Sequence, residues 1–217
     1  MVIFNLFKPY LLASLFMVNV GNVSSQCQSS SNQPLNDHGI PPFVLVPKEK
    51  EIEVTKGLLL ALLPTLSAEW IVSMKLRLFR ELDTSFTFCR LFHMTKGGQN
   101  TVYGDRTPLV SIRTADNVLQ ISTALNGKKS HNALLISNEL QINQTIALEI
   151  HQRYVKNGNY KYYILVDGVV IMDDMNYTAE QFHDVKVYAT SYGETFWPTT
   201  EQSWSGPVCV DLRRERN

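Results

Sequence analysis

Trp70-Ile71-Val72-Ser73-Met74-Lys75-Leu76-Arg77-Leu78 alternates side-chain class residue by residue. In an extended chain successive side chains point to opposite faces, so Trp70, Val72, Met74, Leu76 and Leu78 gather on one side of a sheet. Ile71, Ser73, Lys75 and Arg77 then take the other. Weaker versions of the same pattern predict strands at Phe86 to Phe92, Leu109 to Arg113, Val118 to Ala124, Ala133 to Ile136 and Thr145 to Arg153. Three more follow at Tyr160 to Val166, Val169 to Met172 and Val185 to Thr190, the first two forming one hairpin from Tyr160 to Met172. Asn126-Gly127 and Asp167-Gly168 separate them, and these dipeptides tolerate positive φ at both centres of a tight turn.

Strands that recur with turn signals between them, and no sustained helical period, predict an all-β antiparallel jelly-roll sandwich over residues 43–212, followed by a charged tail at 213–217. One short helical turn is expected at Thr178 to His183, where Thr178 caps and Gln181 follows three residues later.

Ahead of the sandwich the composition changes. Residues 1–25 hold Lys8, an apolar run from Tyr10 to Val20, and Val23-Ser24-Ser25 before Gln26, which is the layout of a cleaved secretory signal peptide. An uncleaved anchor is the competing reading, but spanning a bilayer takes about 20 apolar residues, and Asn19 and Asn22 interrupt this run. The later apolar segment Leu58 to Leu63 stops at Pro64, so no membrane span is expected after cleavage. Residues 26–42 are rich in Ser, Gln, Asn and Pro and carry too little apolar surface to offset the entropy of ordering, which predicts a flexible leader.

Export to an oxidising compartment bears on Cys27, Cys89 and Cys209. An odd number leaves one thiol over, and three pairings are open; Cys27 with Cys209 is favoured because the ends of a sandwich lie close together, while Cys89 sits in an apolar strand as a buried, inert thiol. Asn143-Gln144-Thr145 and Asn176-Tyr177-Thr178 are glycosylation sequons, each needing a surface position. Twenty acidic residues balance 20 basic ones, with no basic stripe, so neither nucleic acid nor a strongly acidic mineral-binding role is expected.

The runs Leu63-Pro64-Thr65-Leu66, Leu91-Phe92-His93-Met94-Thr95-Lys96-Gly97-Gly98 and Tyr103-Gly104-Asp105-Arg106-Thr107-Pro108, with Asn126-Gly127, the Ile164 to Val169 hairpin and Val185-Lys186-Val187-Tyr188-Ala189, resemble a secreted concanavalin A-like domain of marine invertebrates, especially cnidarians. The resemblance covers roughly Ile52 to Val210. The resemblance implies two curved antiparallel sheets and an extracellular matrix as the home, with the coral skeletal organic matrix as one such setting. After Ala189 the resembled pattern continues Ser-Asp-Pro-Trp; this chain has Thr190-Ser191-Tyr192-Gly193 and lacks that acidic side chain.

A jelly roll alone assigns no activity. Glycoside hydrolysis needs two carboxylates, and the nearest approach to the Glu-x-Asp-x-x-Glu strand pattern, Glu81-Leu82-Asp83, meets Phe86 at its last position. His93, His131, His151 and His183 are scattered, His93 reading as a structural histidine; no nucleophile elbow or phosphate loop is present, so no enzyme and no cofactor are expected. Asp105, Asp116, Asp167, Asp173 and Asp174 read as turn and surface acids rather than calcium ligands, and no metal is expected.

Two non-enzymatic readings remain. The first is a secreted matrix or adhesion protein with glycans or matrix proteins as partners. The alternative is a soluble lectin whose loops 97–108 and 192–204 form a sugar-binding rim from Asn100, Tyr103, Asp105, Arg106, Tyr192 and Trp197, with Trp204 nearby. A purely structural role for the same residues has Asp105 and Arg106 as an internal ion pair and Trp197 and Trp204 packing the final strand.

Overall fold

The computed structural model describes residues 43–45, 57–78, 82, 84–190 and 209–213; residues 43, 134–138 and 209–213 are described by their backbone. Its strands in chain order are β1 Phe43–Val44, β2 Leu59–Leu66, β3 Glu69–Arg77, β4 Phe88–Thr95, β5 Leu109–Arg113, β6 Val118–Leu125, β7 Lys128–Glu139, β8 Thr145–Lys156, β9 Asn159–Val166, β10 Val169–Asn176, β11 Phe182–Tyr188 and β12 Cys209–Arg213. They form two six-stranded sheets, β1-β12-β3-β8-β9-β10 and β2-β11-β4-β5-β6-β7, in which every named pairing is antiparallel. The architecture is the all-β sandwich that the alternation of residues 70–78 requires.

Register explains why those residues set the fold. Val72, Met74 and Leu76 of β3 stand opposite Ile150, Leu148 and Ile146 of β8, so two apolar rows meet on one face of the first sheet. Phe92 and Met94 of β4, Val110 and Ile112 of β5 and Leu119 and Ile121 of β6 join them from the second sheet in one core cluster. Burying each such side chain is worth roughly 1.5–3 kcal/mol, the largest favourable contribution available to the chain. Trp70 closes one end of the core with its ring edge-on to Tyr162, centroids 6.3 Å apart.

Turns follow local chemistry. Asn126-Gly127 and Asp167-Gly168 take positive φ at both positions, and so does Asn157-Gly158, a third hairpin turn between β8 and β9 that sequence reading passed over. Asp167 also accepts the Ala147 N–H on its side chain at 2.7 Å. Pro64, which has no N–H to give, sits in β2, the edge of its sheet among the described strands.

Several expectations change. The helical turn at Thr178 to His183 is not formed: Phe182 is 4 % exposed and begins β11 opposite Leu66, while the Thr178 hydroxyl accepts the Gly127 N–H at 2.9 Å. A local capping pattern thus yields to a strand pairing made over long range. Segment 59–66, not counted among the predicted strands, is β2. β7 begins at Lys128, directly after its turn, and runs to Glu139, well beyond Ala133 to Ile136 at both ends.

The sequon at Asn176 is also corrected. Asn176 is 1 % exposed, its Nδ2 donates to Gln152 Oε1 at 2.7 Å, and its Oδ1 accepts the Asn126 and Thr178 N–H groups, so the side chain is not a surface position. Asn143 is exposed. Cys89 is buried in β4 as expected. The signal peptide, the leader, Cys27, the tail residues 214–217 and the aromatic residues Tyr192, Trp197 and Trp204 lie outside the described residues. No helix among the described residues is long and apolar enough to cross a membrane.

Leu148 is fully buried between the sheets, whereas Val169 at a hairpin tip is 64 % exposed. Leu148→Ala should cost about 2–5 kcal/mol in urea unfolding and Val169→Ala no more than about 0.5 kcal/mol. Equal losses at the two positions would contradict this placement of the core.

Candidate functional site

The faces of β4 to β7 turned away from the core carry a different set of side chains. A bulge between Arg90 and Phe92 lets Arg90 face outward opposite Ser111 while Phe92 points into the core. Pairing then continues the outward row from Ser111 to Gln120, and a second row runs Leu109, Ser122, Asn132. Ser111, Ser122 and Leu109 are only 3–4 % exposed although they face outward, so this surface is sunken. It is the floor of a groove of about 460 Å³.

Two walls raise the groove. Along one, Ser85 to Phe88 is pinned by Thr114, whose N–H donates to the Thr87 carbonyl at 3.1 Å and whose hydroxyl donates to the Phe86 carbonyl. That wall presents the half-buried rings of Phe86 and Phe88. The other is the loop that joins β4 to β5, which supplies Arg106 and reaches Arg90, two residues from Phe88 on β4, through Gln99.

The loop is organised around one carboxylate. Asp105 is 1 % exposed and accepts the N–H groups of Gly98 (3.0 Å), Thr101 (2.6 Å) and Val102 (2.9 Å) and the Thr101 hydroxyl (2.7 Å). Burial alone would raise its pKa, but these donors outweigh burial and hold it below the ordinary carboxylate value. Gly98 is required for this approach, since a Cβ there would stand 2.5 Å from Asp105 Oδ2. The folded loop presents Gln99 to both arginines: its carbonyl accepts Arg106 Nε at 2.8 Å and its Oε1 accepts Arg90 Nη1 at 3.3 Å.

From Arg106 a directional relay runs through Ser130 to Asn132. A guanidinium can only donate, so Ser130 Oγ accepts Arg106 Nη1 at 2.8 Å and gives its own proton to Asn132 Oδ1 at 2.9 Å. Ser122 donates to the same Oδ1 at 2.6 Å. With Oδ1 twice occupied, the amide is oriented and its Nδ2 donors are left for whatever enters the groove. Desolvation by burial lowers the pKa of both arginines, and the charge of Arg90 adds to the effect on Arg106.

His93 lies beneath the same wall. It is 1 % exposed, its Nε2–H donates to the Asp105 carbonyl at 2.6 Å, and burial lowers its pKa to about 4, the two arginine charges adding to the shift. It is therefore neutral at pH 7 and braces the loop, in keeping with its sequence reading as a structural histidine.

Of the rim residues named from sequence, Arg106 lines the groove. Asp105 lies under the loop and shapes it. Its carboxylate is occupied by loop donors rather than by Arg106, so the internal ion pair anticipated between these neighbours is replaced by two separate networks. Tyr103 turns away: its hydroxyl donates to the Thr178 carbonyl at 3.1 Å and its ring packs on Phe182 at 6.0 Å. Asn100 is exposed on the loop and does not line the groove.

Sequence reading missed Arg90, Gln120, Asn132, Phe86 and Phe88. Their only signal was being polar or aromatic alternates on neighbouring strands, and it becomes a site once register is known. The acids weighed for calcium are dispersed: Asp116 pairs with Arg113 (2.5 Å), Asp173 with Lys161 (2.7 Å), and Asp174 accepts the Met175 N–H. Among the described residues no three His, Cys, Asp or Glu side chains gather around a common point.

No family model matches the chain, and no curated protein matches it. Among solved structures it is similar to a native heptameric SAP-like pentraxin from Limulus polyphemus, with 14 % identity, 73 % of this chain and 72 % of that one covered, and a TM-score of 0.43. It is also similar to alginate lyase Aly36B, with 11 % identity, 82 % and 83 % covered and a TM-score of 0.49. The receptor binding domain of botulinum neurotoxin D gives 12 % identity, 71 % of this chain and 36 % of that one covered, and a TM-score of 0.47. At such identities no ligand or reaction carries over.

Two measurements test the loop. Gly98→Ala should displace the Asp105 carboxylate and cost about 1–3 kcal/mol in chemical denaturation; an unchanged midpoint would contradict the close approach. The His93 pKa is lower in the folded chain than in the unfolded one, so its contribution is complete above about pH 6.5 and lost as pH falls towards about 4. That loss should be roughly 3 kcal/mol between pH 7 and pH 4, and His93→Gln should flatten it. An equally steep decline in the variant would show that other groups govern it.

Proposed function

We propose that the chain is a secreted, non-enzymatic glycan-binding module and that the groove across β4 to β7 is its site. The observation that carries this is the composition of the groove: half-buried Phe86 and Phe88 rings with Arg90 beside Phe88 on β4, together with an oriented Asn132 amide, Gln120 and Arg106. Sugars present apolar faces to rings and hydroxyls to fixed amides and guanidinium groups, and a cleft of this size suits a few sugar units. These groups can hold and orient a ligand.

The lectin reading, second from sequence alone, thereby moves ahead of a purely structural role, which needs no such cleft. A matrix or adhesion setting, with the skeletal organic matrix of a marine invertebrate as one such home, stays the proposed location. It is supported by the signal-peptide layout expected for residues 1–25 and by the resemblance in residues 63–66, 91–98 and 103–108. In that setting the groove would tether the protein to matrix polysaccharide. Glycosylation at Asn143 and a Cys27–Cys209 disulfide belong to the same proposal.

The test is a glycan array probed with the intact secreted protein and with Asn132→Ala and Phe86→Ala, each checked for native circular dichroism. Wild-type protein should retain at least one glycan class, and each variant should weaken it about tenfold or more, the loss of one good contact. Absence of retention on every glycan, or variants that bind as wild type, would overturn the groove as the site.

A further inference from the structure

The chain contains two Asn-Gly pairs, Asn126-Gly127 and Asn157-Gly158, and one Asp-Gly pair, Asp167-Gly168. All three sit at hairpin turns with positive φ at both residues, 50° and 73°, 53° and 72°, and 49° and 80°, so backbone conformation does not distinguish them. Such pairs share one reactive feature. Glycine has no side chain to shield its own N–H, and that nitrogen can reach the side-chain carbonyl carbon of the residue before it.

At two of the turns the reacting groups are already engaged. Asn126 Nδ2 donates to the Met175 carbonyl at 2.6 Å, its Oδ1 accepts the Tyr177 N–H at 2.8 Å, and the Gly127 N–H donates to the Thr178 hydroxyl at 2.9 Å. The Asp167 carboxylate accepts the Ala147 N–H at 2.7 Å, and the Asp167 N–H donates to the Ala147 carbonyl at 2.8 Å. Asn157 stands apart. It and Gly158 are both exposed, and a Cβ on Gly158 would meet no atom within 4 Å. Among the described residues the Asn157 amide has no hydrogen-bond partner and the Gly158 N–H has no side-chain acceptor.

We propose that Asn157-Gly158 is a site of spontaneous deamidation in the folded protein, and that the same dipeptide at Asn126-Gly127 is protected. The Gly158 amide nitrogen gives its proton to a solvent base and attacks Asn157 Cγ. The new N–Cγ bond closes a succinimide ring while the Cγ–Nδ2 bond breaks, and Nδ2 takes up a solvent proton and leaves as ammonia. One water then opens the ring. Cleavage of the bond from nitrogen to Cγ leaves aspartate, and cleavage of the bond from nitrogen to the Asn157 main-chain carbonyl carbon leaves isoaspartate. In sum one water is consumed and one ammonia released, with no oxidant, cofactor or enzyme.

Closing the ring moves the asparagine backbone out of its turn conformation, so the rate depends on how readily the tip opens. At Asn157 no side-chain tether resists, whereas at Asn126 the bonds to Met175, Tyr177 and Thr178 must break first. The consequence is local. Isoaspartate carries the main chain through Cβ and Cγ, which lengthens a two-residue turn by one methylene next to the Lys156 and Asn159 pair and the Tyr154 and Tyr160 pair. It also places a carboxylate beside Lys156. The converted fraction thus records time since folding, and the tip belongs to the sheet that does not carry the groove.

The experiment is incubation of the intact protein in mildly alkaline buffer at body temperature, folded and in urea, with peptide mass spectrometry of each turn over time and isoaspartate scored by labelling with a protein-isoaspartate methyltransferase. In the folded protein the Asn157 peptide should convert about tenfold or more faster than the Asn126 peptide, with isoaspartate the main product. In urea the two Asn-Gly pairs should converge, because local sequence alone then sets the rate. Thr178→Val removes the acceptor of the Gly127 N–H and should bring Asn126 closer to the Asn157 rate while leaving Asn157 unchanged. If that variant does not fold, the wild-type comparison between folded and urea samples decides by itself. Equal rates at the two turns in the folded protein, an Asn157 that converts in urea but not in the fold, or a difference of the same size in urea would overturn the proposal.

Discussion

Side chains of a strand must divide between two faces, and that constraint governs everything else in this molecule. In β3, β8 and β4 to β6 the apolar half of the division closes against the opposite sheet, and Val72, Leu148, Phe92 and Val110 have no exposed surface at all. Once that face is committed, the outward side chains of β4 to β7 are available for other roles. On β4 to β7 it holds serines, amides and an arginine. The groove is thus a consequence of the core: the register that aligns Val110 with Ile121 also aligns Ser111 with Gln120.

What makes this outer face a candidate site is a loop whose stability rests on one buried charge. Asp105 collects four donors from residues 98–102, and the resulting turn carries Gln99 to the arginine pair. His93 anchors the same loop from β4 by donating to the Asp105 carbonyl. Structural and binding roles are therefore divided within one short segment: Asp105 faces inward and shapes it, and Arg106, the next residue, faces the cleft. Disturbing the inward residue should disturb the outward one, although neither touches the other through a hydrogen bond.

Features set by neighbouring residues were legible in the sequence. Alternation over residues 70–78 gives β3 and its inward face, and Asn-Gly or Asp-Gly pairs give the hairpin turns, because both follow from backbone geometry over a few residues. The Thr178 to His183 segment shows where this stops: its capping pattern is real, but Phe182 gains more from pairing with Leu66 and packing in the core. The groove was less legible still. Arg90, Gln120 and Asn132 each read as solvent-facing alternates, and they meet only through the register of four strands. Asp105 and Arg106, adjacent in sequence and opposite in charge, suggest a pair, yet the positions of Gly98, Gln99 and Ser130 direct them apart.

A nitrogen-15 NMR titration of the intact protein with a glycan that it retains on the array tests the central claim most directly. The account predicts that shifts concentrate on the outer face of β4 to β7, with the Arg106 Nε–H and the Asn132 side-chain amide moving most and the residues of β3 and β8 unaffected. Shifts centred on the other sheet, or a bound glycan that leaves Arg106 and Asn132 unmoved at saturation, would contradict it.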